Sequence, residues 1–209
     1  INHCSSQLPS KFLHLKSKKL LPYEPFTWAS GWKSPIYCDN RKTLSYPEVR
    51  TYIRDQFVNL IKTKYPQVEL IAGVATGAIA QGALVAQELG LPFVYVRSAA
   101  KNHGLENLIE GEYKEGQKVV VVEDLISTGG SSLQAVEALR NAGCDVLGMV
   151  AIFTYGFQKA IDNFTNAHCV LDTLSDYNAM IDLAQKTGYV QESDVAKLKE
   201  WRMSPESYK

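Results

Sequence analysis

Cysteine is scarce in this chain of 209 residues, and its placement bears on two kinds of structure. The four cysteines lie far apart, with no C-x-x-C pair and no histidine at metal-ligand spacing: Cys4, Cys38, Cys144 and Cys169. This pattern argues against a zinc site and against a disulfide-stapled fold. It is typical of a reducing compartment, so we expect a cytoplasmic location.

Long apolar runs and an excess of one charge sign are also missing. No apolar run approaches the ~20 residues of a membrane span, and no signal-peptide pattern begins the chain, so we expect no membrane partner. Basic and acidic residues both number 22, which leaves no net charge to attract nucleic acid. Residues 1–50 carry a local basic excess, which favours an anionic small molecule or is ordinary surface variation.

The order of apolar segments predicts one compact α/β domain. Apolar residues make up 45% of the chain and charged residues 21%, a balance typical of globular proteins. Continuous apolar segments alternate with amphipathic ones, which predicts a parallel sheet with helices on both faces. We expect strands over residues 69–74, 92–96, 118–122 and 146–153, and helices over 47–65, 78–89, 131–141, 157–164, 177–187 and 192–202.

The first 45 residues differ from the rest of the chain in their residue pattern. The stretch through Leu21 alternates lysine with leucine and phenylalanine, and it predicts a helix that ends before Pro22. Residues 23–41 combine aromatic residues with proline and glycine, which predicts short strands and turns. We divide the domain into an N-terminal helix and hood (1–45), an α/β core (46–175) and C-terminal helices (176–209).

Polar segments follow three of the predicted strands. Ligands of open parallel sheets bind beyond the carboxyl ends of the strands. We therefore expect residues 75–78, 97–104 and 123–131 to gather at one edge of the sheet.

The segment VVVVEDLISTGGSS (119–132) has the features of a ribose-phosphate site. Gly129 and Gly130 allow successive N–H groups to converge, and the start of the next helix favours an anion. Glu123 and Asp124 can accept hydrogen bonds from the hydroxyls of a sugar and stabilise positive charge on it. The alternative is that Thr128 or Ser131 only caps the helix. The phosphate-binding motifs G-x-x-x-x-G-K-[ST] and G-x-G-x-x-G are absent.

This segment resembles the phosphoribosyl-pyrophosphate (PRPP) signature of type I phosphoribosyltransferases. The resemblance implies the fold of that family: a central parallel sheet flanked by helices, with a small N-terminal hood. It also implies a set of PRPP-binding residues in the signature and in the loop at 97–104: Arg97, Lys101, His103, Glu123, Asp124, Leu125, Ile126, Ser127, Thr128, Gly129, Gly130 and Ser131.

A basic loop precedes the signature. YVRSAAKNHG (95–104) carries Arg97, Lys101 and His103, whose donors can stabilise the charge on a departing pyrophosphate, and His103 can also donate a proton. An ordinary solvated basic loop is the alternative. The loop resembles the mobile catalytic loop of orotate phosphoribosyltransferases, which implies catalytic roles for Lys101, His103 and Asp124.

FTWASGWKSPIYCDNR (26–41) resembles the hood of the same enzymes. The resemblance implies orotate contacts by Lys33, Tyr37, Ser127 and Tyr155, and Arg41 is a further candidate for the orotate carboxylate. In the better-known enterobacterial type, the position of Ala29 holds a lysine, and that of Tyr155 holds an arginine that grips orotate. We therefore expect a different set of substrate contacts in this chain.

The resemblance implies transfer of the phosphoribosyl group from PRPP to orotate, in de novo pyrimidine synthesis. It further implies Mg²⁺ carried by PRPP without a direct protein ligand, and a homodimer in which the mobile loop reaches the neighbouring subunit's site. Three alternatives stay open: a sister enzyme that uses a purine or uracil, a PRPP-sensing regulator without catalysis, and an unrelated nucleotide-binding α/β domain.

Overall fold

A computed structural model describes residues 8–11, 18–20, 26–27, 33–98 and 108–207 of the chain. Residues 8–11 are helical, and four short strands follow: β1 (Lys18–Leu20), β2 (Phe26–Thr27), β3 (Lys33–Ser34) and β4 (Ile36–Cys38). β1 pairs antiparallel with β4, and β2 with β3. A 3-10 helix, Asn40–Ser45, follows. These four strands and the 3-10 helix are called the hood below.

The central sheet has six strands within the described residues: β5 (Leu70–Val74), β6 (Phe93–Val96), β7 (Ile109–Glu110), β8 (Lys118–Ile126), β9 (Asp145–Thr154) and β10 (Leu171–Asp176). Their order across the sheet is β10-β9-β8-β5-β6-β7. Every neighbouring pair is parallel except β6 with β7. The predicted parallel sheet is therefore confirmed, with one short antiparallel strand at its edge.

Helices connect the strands and close the chain: α1 (Pro47–Lys64), α2 (Ile79–Leu89), α3 (Gly130–Asn141), α4 (Gln158–Asn166), α5 (Tyr177–Lys186) and α6 (Glu192–Met203). Each lies within a few residues of its predicted position. Pro47 occupies the first turn of α1, where its missing N–H costs no hydrogen bond. Gly90 ends α2 in the left-handed conformation, with φ at 66°.

The valine run shows why the sheet could be read from sequence. Val119, Val120, Val121 and Val122 are all fully buried. Val119 and Val121 pack into the cluster that contains α3 and α4, whereas Val120 and Val122 pack into the cluster that contains α1 and α2. Since successive side chains of a strand point to opposite faces, an unbroken apolar run indicates cover on both faces.

A third cluster joins the hood to the end of the chain. Ile36 of β4 and Phe153 of β9 pack there with the buried faces of α5 and α6. The C-terminal helices therefore cover the sheet beside the hood. The division of the chain at residues 45 and 175 stays a prediction.

Two sequence predictions need correction. The helix expected through Leu21 is wrong at residues 18–20, which form β1 because antiparallel pairing with β4 satisfies their backbone groups; only residues 8–11 of that stretch are described as helical. Strands β7 and β10 were not predicted. The sequence of β10, LDTLSD, alternates imperfectly, and the strand lies at the edge of the sheet, where polar residues are tolerated.

In the part of the chain that the structure describes, every helix is too short or too polar to cross a bilayer.

Candidate active site

The carboxyl ends of β5, β6 and β8 meet at one edge of the sheet, because these strands are parallel neighbours. The backbone ties their following segments together. Ala75 N donates to the carbonyl of Val96 at 2.8 Å, and Arg97 N donates to that of Leu108 at 2.8 Å. The predicted gathering of 75–78, 97–98 and 123–131 is confirmed. The remainder of the basic loop, with Lys101 and His103, lies outside the described residues.

Glu123 and Asp124 occupy different environments although they are adjacent. Glu123 is 5% exposed. Its Oε2 accepts a hydrogen bond from the Ser132 hydroxyl at 2.8 Å, and its Oε1 accepts one from the Asp124 N–H at 2.7 Å. Burial, and then the negative charge of Asp124, raise the pKa of Glu123 to about 8. The pair therefore carries less negative charge at neutral pH than two free carboxylates would.

The Asp124 carboxylate lies directly against the loop that follows β5. A Cβ atom added to Gly77 would stand 2.3 Å from Asp124 Oδ2, a distance that no real contact allows. A side chain at this position would force the carboxylate or the loop to shift, so glycine allows the close approach. The loop also contains a cis peptide bond between Ala75 and Thr76.

The loop between β8 and α3 has the backbone form expected of an anion site. Gly129 adopts φ of 80° and precedes α3, whose first turn receives no side-chain cap. Neither Thr128 nor Ser131 therefore caps α3 with its side chain, and that alternative is wrong. Ser132, which sequence reasoning did not single out, bonds Glu123 instead. The first N–H groups of α3 point towards the loop, as a bound phosphate would require.

Residues of helix α4 contact the loop between β8 and α3. Asn163 Nδ2 donates to the carbonyl of Thr128 at 2.8 Å. A Cβ on Gly129 would stand 2.6 Å from Phe164 Cε2. The glycine is needed both for its positive φ and for this close approach.

The remaining residues of the signature divide between surface and core. Gly130 and Ser131 are exposed, and Ser127 is half-buried. Ile126 is fully buried, and Leu125 packs against the cluster of the hood and C-terminal helices. Any contribution of Leu125 and Ile126 to PRPP binding would come from their backbone, and it stays a prediction.

Two clefts flank Ala75 at the edge of the sheet. One, of about 350 Å³, is lined by Arg97, Ser131 and residues of α3. The other, of about 380 Å³, is lined by Thr76 and Arg97 among others. Arg97 Nη1 lies 3.4 Å from Glu110 Oε1. A larger cavity of about 650 Å³ lies between α4 and β10, and none of the predicted site residues lines it.

The hood contacts the acidic pair through a residue that sequence reasoning missed. Asn40 is 3% exposed, and its Nδ2 donates to the main-chain carbonyl of Asp124 at 2.6 Å. The Thr43 hydroxyl in turn donates to the carbonyl of Asn40 at 2.6 Å. No local pattern marks Asn40, because its partner is 84 positions away.

The predicted orotate residues of the hood are accessible. Tyr37 is 39% exposed, and its ring centroid lies 5.3 Å from that of Phe26. The Lys33 side chain is exposed. Arg41 forms an ion pair with Asp39 at 2.8 Å, which is the first cause of its raised pKa, and the charge of Asp124 contributes a smaller part.

Tyr155 is placed differently. Its side chain is 2% exposed. It stacks on Phe157 with ring centroids 5.4 Å apart and meets the edge of Trp201 at 5.8 Å. This burial argues against a side-chain contact with orotate. The predicted role of Tyr155 in binding orotate is untested and stays a prediction.

A metal site built from side chains is not found in the described ranges: no group of three or more His, Cys, Asp or Glu residues there could hold an ion. The two oxygens of Glu123 already accept hydrogen bonds. The half-buried carboxylate of Asp124 at this edge offers oxygen atoms of the kind that Mg²⁺ binds, directly or through its water shell.

Comparisons with known proteins agree with this geometry. Residues 44–182 match the phosphoribosyl transferase domain. The chain is 61% identical to the orotate phosphoribosyltransferase of Porphyromonas gingivalis, with 96% of each chain covered. It is 63% identical to that of Bacteroides thetaiotaomicron, covering 93% of this chain and 92% of the relative.

Among solved structures, the orotate phosphoribosyltransferase of Aeropyrum pernix superposes with a TM-score of 0.77 at 25% identity, covering 88% of this chain and all of the other. The edge-of-sheet geometry, the domain match and the identity over nearly the full length lead to one assignment. This chain belongs to the phosphoribosyl transferase family and, within it, to the orotate phosphoribosyltransferases.

Proposed function

We propose that this protein transfers the 5-phosphoribosyl group of PRPP to orotate, giving orotidine 5′-monophosphate and pyrophosphate in de novo pyrimidine synthesis. The observation that carries the proposal is the position of Asp124. Its carboxylate lies against Gly77 in the loop after β5, and its main-chain carbonyl accepts a hydrogen bond from Asn40 of the hood.

The acidic pair is the ribose subsite of this proposal. The Asp124 carboxylate accepts hydrogen bonds from the vicinal hydroxyls of the ribose and stabilises positive charge that develops on the sugar as its bond to pyrophosphate breaks. Glu123 has a raised pKa and two internal hydrogen bonds, so it orients the backbone of Asp124. No nucleophile–base pair is needed, since the base attacks the sugar directly.

The phosphate ends of PRPP have separate subsites. The 5′-phosphate binds the hydroxyls and N–H groups of residues 127–131, at the positive end of α3. The pyrophosphate binds the backbone of residues 75–78 together with Arg97, which lines both adjoining clefts. Lys101 and His103 complete this subsite, where they stabilise the charge of the departing pyrophosphate.

Mg²⁺ enters this scheme with its substrate. Bound to the diphosphate of PRPP, Mg²⁺ would neutralise its charge, and the half-buried carboxylate of Asp124 would contact the water shell of the ion. Removal of Mg²⁺ with a chelator is expected to stop turnover, and added Mg²⁺ to restore it.

Orotate binds beneath the hood, with Tyr37 packing on the ring and Lys33 and Arg41 as the cations that attract its carboxylate. Ser127, at the base-facing end of the phosphate loop, offers a hydroxyl. The proposal also includes a homodimer in which the loop at 97–104 serves the neighbouring subunit's site. A cytoplasmic location belongs to it too, in keeping with the four widely spaced cysteines of the sequence.

The test is to mix the protein with orotate, PRPP and Mg²⁺ and to follow the loss of orotate absorbance. Turnover by the wild type, with at least about a hundredfold loss in Asp124→Asn, supports the proposal. Turnover with adenine, hypoxanthine or uracil but not orotate would move the protein to a sister activity. PRPP binding without turnover of any base would favour a PRPP-sensing regulator.

A further inference from the structure

Two consecutive residues of α6 form hydrogen bonds to two separate segments, the hood and the segment that follows β9. Trp201 Nε1 donates a hydrogen bond of 2.9 Å to the carbonyl of Lys33, on strand β3. Arg202 Nε donates to the carbonyl of Tyr155 at 3.1 Å, and its Nη2 donates to that of Gly156 at 3.0 Å. Helix α6 therefore links the hood to the segment that follows β9.

These contacts lie in a closely packed setting. Trp201 is 1% exposed, and its ring meets Phe157 edge-on with centroids 5.4 Å apart. Gly156 adopts φ of 67°, and a Cβ there would stand 3.1 Å from Arg202 Nη2. The glycine thus permits the guanidinium to approach the backbone. Two N–H groups held on two successive carbonyls fix the direction of that segment as well as its position.

Two hydrogen bonds tie the hood to the regions on either side of Tyr37. Trp201 bonds the first half of the hood at Lys33, and Asn40 bonds its second half to Asp124. Tyr37 lies between these points on β4, exposed at the surface where the proposed function places the base. The phosphate loop has a separate support, from Asn163 to Thr128 and from Ser132 to Glu123.

We propose that Trp201 and Arg202 are positioning residues for the base site, holding the hood strand at Lys33 and the 155–156 segment in one fixed relation. This inference rests on the proposed function for the identity of the base. The inference predicts an effect on orotate binding and not on PRPP binding. Loss of the hydrogen bonds of Trp201 or Arg202 loosens the base site, whereas the hydrogen bonds that support the phosphate loop remain intact.

The experiment compares Trp201→Phe and Arg202→Gln with the wild type by steady-state kinetics in both substrates. Phenylalanine keeps the ring packing but loses the donor, and glutamine loses the two-pronged guanidinium. We expect the KM for orotate to rise about tenfold in each variant, as the loss of one or two buried hydrogen bonds implies. The KM for PRPP should stay within about twofold of the wild type. Arg202→Lys should recover part of the affinity for orotate, because it restores one donor.

Arg140→Gln is the matched control. Arg140 also bonds two successive carbonyls, those of Ala167 (Nη1, 2.7 Å) and His168 (Nη2, 3.0 Å), in the turn before β10. This control should change thermal stability without changing the KM for orotate. If Arg202→Gln lowers stability as Arg140→Gln does and leaves the KM for orotate unchanged, the role is purely structural and the inference is wrong. An equal rise in both KM values would also overturn it.

Wild-type turnover separates this inference from the proposed function. If the wild type uses another base instead of orotate, the proposed function fails, and the same ratio of KM values is measured with that base. A rise in the KM for that base, without a rise in the KM for PRPP, would then still support a positioning role for Trp201 and Arg202 at the base site. A wild type with no turnover of any base overturns both. Should Trp201→Phe not fold, Arg202→Gln and Arg202→Lys carry the test.

Discussion

The side-chain amide of Asn40 donates a 2.6 Å hydrogen bond to the main-chain carbonyl of Asp124, across 84 positions of the chain. This bond joins the hood to the residue that the proposed function assigns to the ribose. It fixes the position of the hood relative to the backbone of Asp124.

Asn40→Ala is expected to lower kcat/KM about tenfold, since a buried carbonyl loses its donor and the hood loses its anchor at Asp124. Steady-state kinetics with orotate and PRPP measure the effect. Asn59→Ala, at an exposed position of α1, serves as the control and should leave activity unchanged. Unchanged kinetics in Asn40→Ala would show that the bond does not matter for the site.

Gly77→Ala is expected to lower kcat/KM by about a hundredfold. The new methyl group would stand 2.3 Å from Asp124 Oδ2, so either the carboxylate or the loop after β5 must move. The same kinetic assay measures it, and the protein should still fold, because the clash lies at the surface of the cleft. Ala80→Ser, which adds one atom at an exposed position of α2, is the control. Near-normal activity of Gly77→Ala would mean that Asp124 has room to move without cost.

Local sequence was enough to predict four of the six strands of the central sheet and the segment at 123–131. Strands covered on both faces must be apolar throughout, so the run Val119–Val122 marked β8 without any knowledge of its neighbours. The following acids and glycines then fell at the edge of the sheet because parallel strands end together.

Contacts between distant segments could not be predicted in this way. Asn40 and Arg202 act on carbonyls 84 and 46–47 positions away, and nothing near either residue marks them. The ring of Tyr155 likewise packs against Trp201 of α6, a contact between distant segments that local sequence does not indicate.

The buried Glu123 gives folding stability a distinctive dependence on pH. Its pKa is raised to about 8 in the folded protein, whereas an unfolded glutamate titrates near 4.3. Between these values the folded state binds more protons than the unfolded state, so this residue makes stability fall as pH rises. Its contribution levels off above about pH 8, where both states are ionised.

Thermal unfolding of the wild type and of Glu123→Gln between pH 5 and 9 measures this effect. The glutamine variant lacks the titrating group and keeps the other ionisable residues, so the difference in Tm isolates Glu123. We expect the wild type to lose stability relative to the variant as pH rises from 5 to 8. Parallel curves over that range would show that the pKa of Glu123 is close to its ordinary value.

Mixing two inactive variants tests whether the basic loop serves the neighbouring subunit. Lys101→Ala should lower kcat by at least about a hundredfold through loss of a donor to the departing pyrophosphate, and Asp124→Asn should do so through loss of the ribose carboxylate. If the loop crosses between subunits of a dimer, a mixed dimer has one site with an intact Asp124 from one chain and an intact Lys101 from the other.

Random exchange of equal amounts puts about half of the dimers in the mixed state, each with one working site of two, so activity should recover to about a quarter of the wild type. Mixing Lys101→Ala with Lys101→Ala/Asp124→Asn is the control and should recover nothing. If the two single variants form mixed dimers, as mass spectrometry of differently tagged chains would show, and activity stays at the level of either alone, the loop acts within its own subunit. A protein that remains monomeric at assay concentration and is fully active would exclude the shared site altogether.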